Sequence, residues 1–190
     1  MGRFAVLLFV SSLFIVSPSA RAATCAGATL PDTAEVDGKK LVLNGLGLRQ
    51  ATMMKVSVYV GALYLENKSA DGAAIASSDK PRKLVLHFVH AGSKDKIAAA
   101  WSEGFENNTK DTKPLAQRIA TLNGYMADMS SGDEMAFTYR PGAGLEVAVK
   151  GKVMGVIPGA DFAEGFFNIF LGAKPPNAEL KSGLLGGTCG

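Results

Sequence analysis

Between Ala34 and Glu66 the chain reads as extended strand punctuated by turn residues, and this segment limits the possible fold more than any other. Val36 leads into Asp37-Gly38, a strong hairpin turn, and Leu41-Val42-Leu43 resumes the strand. Beyond Gly45-Leu46-Gly47 lies the run Val56 to Leu65, dominated by Val, Tyr and Leu, the residue types that suit a pleated surface. Two or three antiparallel strands are therefore expected at the start.

The remainder alternates between blocks of helix and blocks of strand. Ser69 to Ser77 is rich in small residues and reads as a short helix. Lys83 to His90 follows as a buried strand, in which Leu84, Leu86 and Phe88 alternate with Val85, His87 and Val89. Ile97, Ala100, Trp101, Gly104 and Phe105 fall at i, i+3, i+4, i+7 and i+8, the apolar stripe of a helix starting near Ser93. Glu103 and Glu106 read as its solvated outer side. A second helix is expected from Pro114 to Met129, with Leu115, Ile119, Leu122 and Met126 on one face. Three short strands come next, near 134–139, 144–149 and 152–156, separated by Pro141-Gly142 and Lys150-Gly151. Phe162, Phe166, Ile169 and Phe170 then share a helical face from Asp161 to Leu171, and Asn177 is placed to cap a last helix to Leu185. Grouped rather than strictly alternating elements indicate an α+β fold built on a largely antiparallel sheet.

The first 22 residues have a different character. Arg3 precedes the apolar run Phe4 to Val16, and Ala20-Arg21-Ala22 supplies a small-x-small cleavage pattern, so residues 1–22 read as a secretory signal peptide and 23–190 as one domain. A membrane anchor fits less well: the run holds Ser11 and Ser12 and is shorter than the ~20 apolar residues that span a bilayer. Export implies a periplasmic or secreted protein, with no stable membrane insertion once the leader is gone. Loss of Arg3 and Arg21 lowers the basic count from 20 to 18 against 17 acidic residues, a net charge of +1. No basic stripe interleaved with aromatics is left, which argues against a nucleic-acid partner. Two cysteines flank the exported part, Cys25 near its start and Cys189 one residue from its end. In an oxidising compartment this even count favours a disulfide joining the termini, the other reading being two unpaired thiols.

Arg49 is the leading candidate for a functional side chain. It follows Gly45-Leu46-Gly47-Leu48 in a stretch, Leu41 to Met54, that has no other charge. Glycines beside it would let a ligand approach the backbone, and a guanidinium can grip a carboxylate or phenolate with two parallel hydrogen bonds. Read from the residues alone, it is equally an arginine reaching to solvent from a strand end. Tyr59 lies ten residues on, sharing a face with Arg49 only if no turn intervenes, and Tyr64 falls on the face opposite Tyr59. His87 and His90 are an odd number of residues apart, point to opposite faces of a strand and cannot chelate one ion together. No metal site or cofactor is expected, and Gly45-x-Gly47 lacks the third glycine of a dinucleotide loop.

Gly45-Leu46-Gly47-Leu48-Arg49 with Lys55-Val56-Ser57-Val58-Tyr59-Val60-Gly61-Ala62-Leu63-Tyr64-Leu65-Glu66 resembles the opening hairpin of the chalcone isomerase family, especially its bacterial chalcone-isomerase-like branch. Phe170-Leu171-Gly172-Ala173-Lys174-Pro175, followed by Glu179-Leu180-Lys181 and Leu184-Leu185-Gly186, is similar to that branch's closing helices. The likeness spans about Ala34 to Gly187. It implies an open-faced β-sandwich, a large antiparallel sheet covered on one side by helices, with a ligand cleft between the layers. Family members include plant enzymes that close chalcones into flavanones, and also fatty-acid-binding proteins.

By this resemblance Arg49 takes the place of the arginine that meets an anionic oxygen, and Tyr59 the place where the enzymes carry threonine and the fatty-acid binders tyrosine. Ser93, Ala100 and a position near Ile169 stand where the enzymes carry tyrosine, asparagine and threonine. The groups that orient a chalcone would thus be missing. The resemblance implies a binder of a fatty acid or similar anionic amphiphile, with Arg49 and Tyr59 on the head and Phe88, Trp101, Phe166 and Phe170 as apolar wall. Two alternatives stay open: an isomerase or lyase with Arg49 and Tyr59 in catalytic roles, and a structural or interaction module with a filled cleft.

Overall fold

The computed structural model describes residues 22–51 and 54–189; the expected leader therefore lies outside the described residues except for Ala22. Ala22 opens a two-stranded ribbon, β1 (Ala22–Cys25) with β2 (Ala28–Pro31). Seven strands form the main sheet: β3 (Thr33–Val36), β4 (Lys39–Ala51), β5 (Val56–Leu65), β6 (Arg82–Phe88), β7 (Glu134–Arg140), β8 (Gly144–Val149) and β9 (Lys152–Ile157). They pair in sequence order, every neighbour antiparallel. Five helices complete the fold: α1 (Gly72–Ser77), α2 (Lys94–Asn108), α3 (Ala116–Gly124), α4 (Ala160–Leu171) and α5 (Ala178–Leu184). The α+β class and the antiparallel sheet under helices are as expected.

Strand alternation divides the core in two. Tyr59, Leu63, Leu84, Leu86, Phe137 and Val147 point to one face, where all five helices add buried side chains such as Ile75, Ile97, Leu122, Phe166 and Leu180. Leu41, Leu46, Leu48, Val60, Ala62 and Tyr64 point to the other face, under the β1–β2 ribbon and its Leu30. That ribbon was not foreseen, since its strands are only four residues long. Cys25 and Cys189 are joined by a disulfide, which ties the ribbon to the chain following α5.

Tyr64 holds the ribbon a second time: its hydroxyl donates to the Pro31 carbonyl at 2.9 Å, and burial pushes its phenol up to about 12. Tyr64→Phe removes that bond and keeps the ring, so we expect a loss of about 1 kcal/mol in urea unfolding. Unchanged stability would show that the tether contributes nothing.

A bulge in β4 decides what its later residues face. Register slips by one between Leu43 and Gly45, so Leu41 and Leu43 share the ribbon side with Leu46 and Leu48. The odd positions Gly45, Gly47 and Arg49 are thereby turned to the helix side. Asn44, the extra residue, is 4 % exposed. Its amide donates to the carbonyls of Ser69 at 2.9 Å and Leu184 at 2.7 Å, and its oxygen accepts from the Ser69 amide at 2.8 Å. The bulge is thus held by a loop and by the last helix.

Three local expectations are corrected. The glycines of β4 admit not a ligand but α5: a Cβ on Gly47 would lie 2.1 Å from the Leu180 carbonyl oxygen, and one on Gly45 2.1 Å from that of Gly183. The helix expected to run to Met129 stops at Gly124, a poor helix former, after a 3-10 turn at Lys113–Leu115. Met126 and Met129 are buried beyond its end. Asn177 stands at the N-cap of α5 but makes no side-chain cap bond; its amide donates to the Leu48 carbonyl and to Glu179 Oε2, both at 3.1 Å.

Arg82, the first residue of β6, is only 2 % exposed. Its guanidinium donates to the carbonyls of Ala76, Ser78 and Lys80 at the end of α1 and lies 4.3 Å from the Tyr139 ring centre and 4.5 Å from that of Phe167. Burial pulls its pKa down to about 10, still protonated at neutral pH. These carbonyls and rings make it a structural cation that seats α1 on the sheet.

Candidate functional site

A cavity of about 580 Å³ opens where β4, β5 and the end of β6 meet α2 and the segment after α4. That volume falls in the range usual for small-molecule sites. The bulge in β4 puts Arg49 there, and antiparallel pairing does the rest: Arg49 and Tyr59 are direct cross-strand partners, so both side chains stand on the helix side. The turn between the strands made parity along the chain uninformative; their juxtaposition comes from the ladder.

Tyr59 is 7 % exposed, and burial drives its phenol well above its ordinary pKa, an effect that the nearby Arg49 charge partly offsets. The hydroxyl is therefore neutral at physiological pH and available as a donor. Arg49 is half-buried, and its guanidinium donates to the Gln50 carbonyl. Among the described residues no carboxylate pairs with it.

Phe88 and Trp101 line the cavity, with Val58, Ile97 and Ile169. The Tyr59 and Phe88 ring centres are 5.6 Å apart. Phe166 and Phe170, expected in the wall, do not line the cavity. Both are fully buried and pack on Trp101, their ring centres 6.1 and 5.8 Å from its own, with Phe137 5.9 Å away on the sheet side. They fix the indole from behind, and its Nε1 donates to Met126 Sδ at 2.9 Å, pointing the polar edge into the core. Trp101 thus offers the cavity an immobilised apolar surface.

Lys96, Asn107 and Lys174 also line the cavity and are not among the sequence candidates. Lys96, Ala100, Glu103 and Asn107 recur at i, i+4, i+7 and i+11 and place one edge of α2 on the cavity, beside the buried stripe. Glu103 thus belongs to the cavity edge rather than to a merely solvated side. Lys174, Pro175 and Pro176 close the side after α4. Lys174 is held by its backbone, its amide donating to Asn108 Oδ1 and its carbonyl accepting from Asn108 Nδ2, both at 2.9 Å. The cationic groups at the cavity are therefore Arg49, Lys96 and Lys174, against the single carboxylate of Glu103. The spacing of Lys96 and Ala100 along α2 was the available signal; Lys174 had none beyond its place in the closing motif.

The two histidines separate, although not by strand parity, since β6 ends at Phe88 and His90 lies in the bend beyond it. His90 reaches the cavity edge, whereas His87 is on the far side of the sheet, with Nδ1 2.9 Å from Glu134 Oε1. Ser93 precedes α2 and does not line the cavity; Ala100 and Ile169 do, and both are apolar. Among the described residues no cluster of three or more His, Cys, Asp or Glu could hold a metal ion, and no helix is long and apolar enough to cross a membrane.

Comparison with known proteins returned a family and a fold. Residues 22–186 match the model of a family described as chalcone isomerase-like. The crystal structure of a fatty-acid binding protein from Arabidopsis thaliana superposes with a TM-score of 0.68 at 15 % identity, covering 87 % of this chain and 96 % of the other. At that identity the likeness speaks for the fold alone. No match was found among curated proteins.

Proposed function

The chain belongs to the chalcone isomerase-like family, and from that premise we propose that it is an exported binder of a fatty acid or a similar anionic amphiphile, with no chalcone-cyclising activity. One observation carries the reading. In a cavity floored by apolar side chains, a guanidinium with no carboxylate partner among the described residues stands across the ladder from a neutral phenol. Such a pair is complementary to a carboxylate: two parallel bonds from the arginine fork and one from the hydroxyl. A half-buried cation without a counterion is better stabilised by an anionic guest than by an apolar one. The excess of basic over acidic groups at the edge adds a field of the same sign.

Phe88, Trp101, Ile97 and Ile169 would take the hydrocarbon chain. The Arabidopsis fatty-acid binding protein of the same fold supports this class of ligand. Apolar Ala100 and Ile169, at the positions where the resemblance puts substrate-orienting polar groups, argue against cyclisation. The leader-like residues 1–22 and the Cys25–Cys189 disulfide support a periplasmic or secreted location.

Delipidated protein titrated with a long-chain fatty acid, and separately with the alcohol of equal chain length, tests the reading by displacement of a fluorescent fatty-acid analogue. The acid should bind at least about tenfold more tightly, the worth of one charge-assisted bond. Equal affinities, or no displacement by either, would overturn it. A chalcone followed by its absorbance should show no accelerated ring closure.

A further inference from the structure

Met54 is 85 % exposed, the most exposed of the large apolar side chains among the described residues. It sits with Lys55 in the turn between β4 and β5, and the residues flanking that turn, Ala51 and Val56, both line the cavity. The methionine therefore projects beside the cavity mouth. Lys96 and Lys174 are exposed at the same mouth, next to Pro175 and Pro176. None of Arg49, Lys55, Lys96 and Lys174 joins an ion pair among the described residues. The nearby acids are Glu103 on the cavity edge and Glu179, which feels the charge of Lys55. Without the leader the whole chain is nearly neutral at +1, so this basic excess is a local asymmetry.

We propose that the cavity mouth docks on an anionic phospholipid bilayer, Met54 entering the interface and the lysines meeting the headgroups. A flexible apolar side chain at a protruding turn, ringed by unpaired cations, is the pattern that couples partial insertion to attraction by acidic lipid. The inference rests on the amphiphile-binding reading above: a guest with low aqueous solubility would pass between bilayer and cavity without crossing open water. Charge complementarity selects this partner over a second copy of the chain, whose own mouth carries charge of the same sign.

The test is flotation of the disulfide-bonded protein, processed N-terminus verified by mass, with vesicles of phosphatidylglycerol mixed into phosphatidylcholine and with phosphatidylcholine alone. Anionic vesicles should carry the protein, neutral ones should not, and high salt should release it. Lys55→Gln should weaken partitioning about fivefold, the worth of one basic residue near an acidic surface, and Met54→Asp at least as much. Neither residue lines the cavity, so vesicle-free fatty-acid affinity should be unchanged in both variants. Absence of flotation, equal flotation with both vesicle types, parental partitioning by both variants, or a dimer in sedimentation without vesicle association would overturn the docking. Fatty-acid affinity measured without vesicles reports on the binding reading separately, so either can fail without masking the other.

Discussion

Arg49→Ala should weaken binding of a long-chain carboxylate by about ten- to a hundredfold and leave binding of the matching alcohol unchanged. Hydrogen bonds to charged groups contribute about 1.5–3 kcal/mol, and each 1.4 kcal/mol is a factor of ten. The loss is specific to the acid because the apolar wall of Phe88, Trp101 and Ile169 stays in place. Arg49→Lys should fall between parent and alanine variant, since it retains the charge and lacks the planar fork. Folding is a separate matter: Arg49 is half-buried, pairs with no carboxylate among the described residues and bonds only its neighbour's carbonyl. Melting temperature and circular dichroism of the alanine variant should therefore match the parent. Equal loss for acid and alcohol would mean that Arg49 shapes the cavity rather than meeting a charge; no loss for either would remove it from the site.

Cleaving the Cys25–Cys189 disulfide should lower the melting temperature by roughly 5–15 °C without altering the secondary structure. The bond closes a loop with a sequence separation of 164, nearly the whole described chain. Disulfides typically contribute about 2–4 kcal/mol through the unfolded state, and each kcal/mol moves the melting point by about 2–4 °C in a domain of this size. Its position makes a local effect expected as well. The ribbon end at Cys25 and the segment after α5 are joined by it, and α5 lies directly on the backbone of β4 at Gly45 and Gly47, two residues before Arg49. Reduction confirmed by thiol titration with no change in melting would show that the ribbon and α5 hold unaided.

The sheet and helices were largely readable because their signals are local. Leu84, Leu86 and Phe88 alternate within one strand, Ile97, Trp101 and Phe105 recur within one helix, and turns such as Asp37-Gly38 stand where the chain reverses. The ribbon was missed because four-residue strands are too short for periodicity to register. Phe166 and Phe170 read as cavity wall because a buried aromatic looks the same in sequence whether it meets a ligand or another ring. The rings of Trp101 and Phe137 occupy the space that a guest would have needed.

The sequence by itself determined most of the strands and helices, the antiparallel class, and an arginine and a tyrosine close to one hairpin. The tertiary structure alone decided which way that arginine faces. Parity along a strand is a local property, but it is reset by a bulge, and the bulge at Asn44 is held by groups 25 and 140 residues away. Had Ser69 and Leu184 not claimed the Asn44 side chain, uninterrupted alternation along β4 would have turned Arg49 toward the ribbon and away from the cavity.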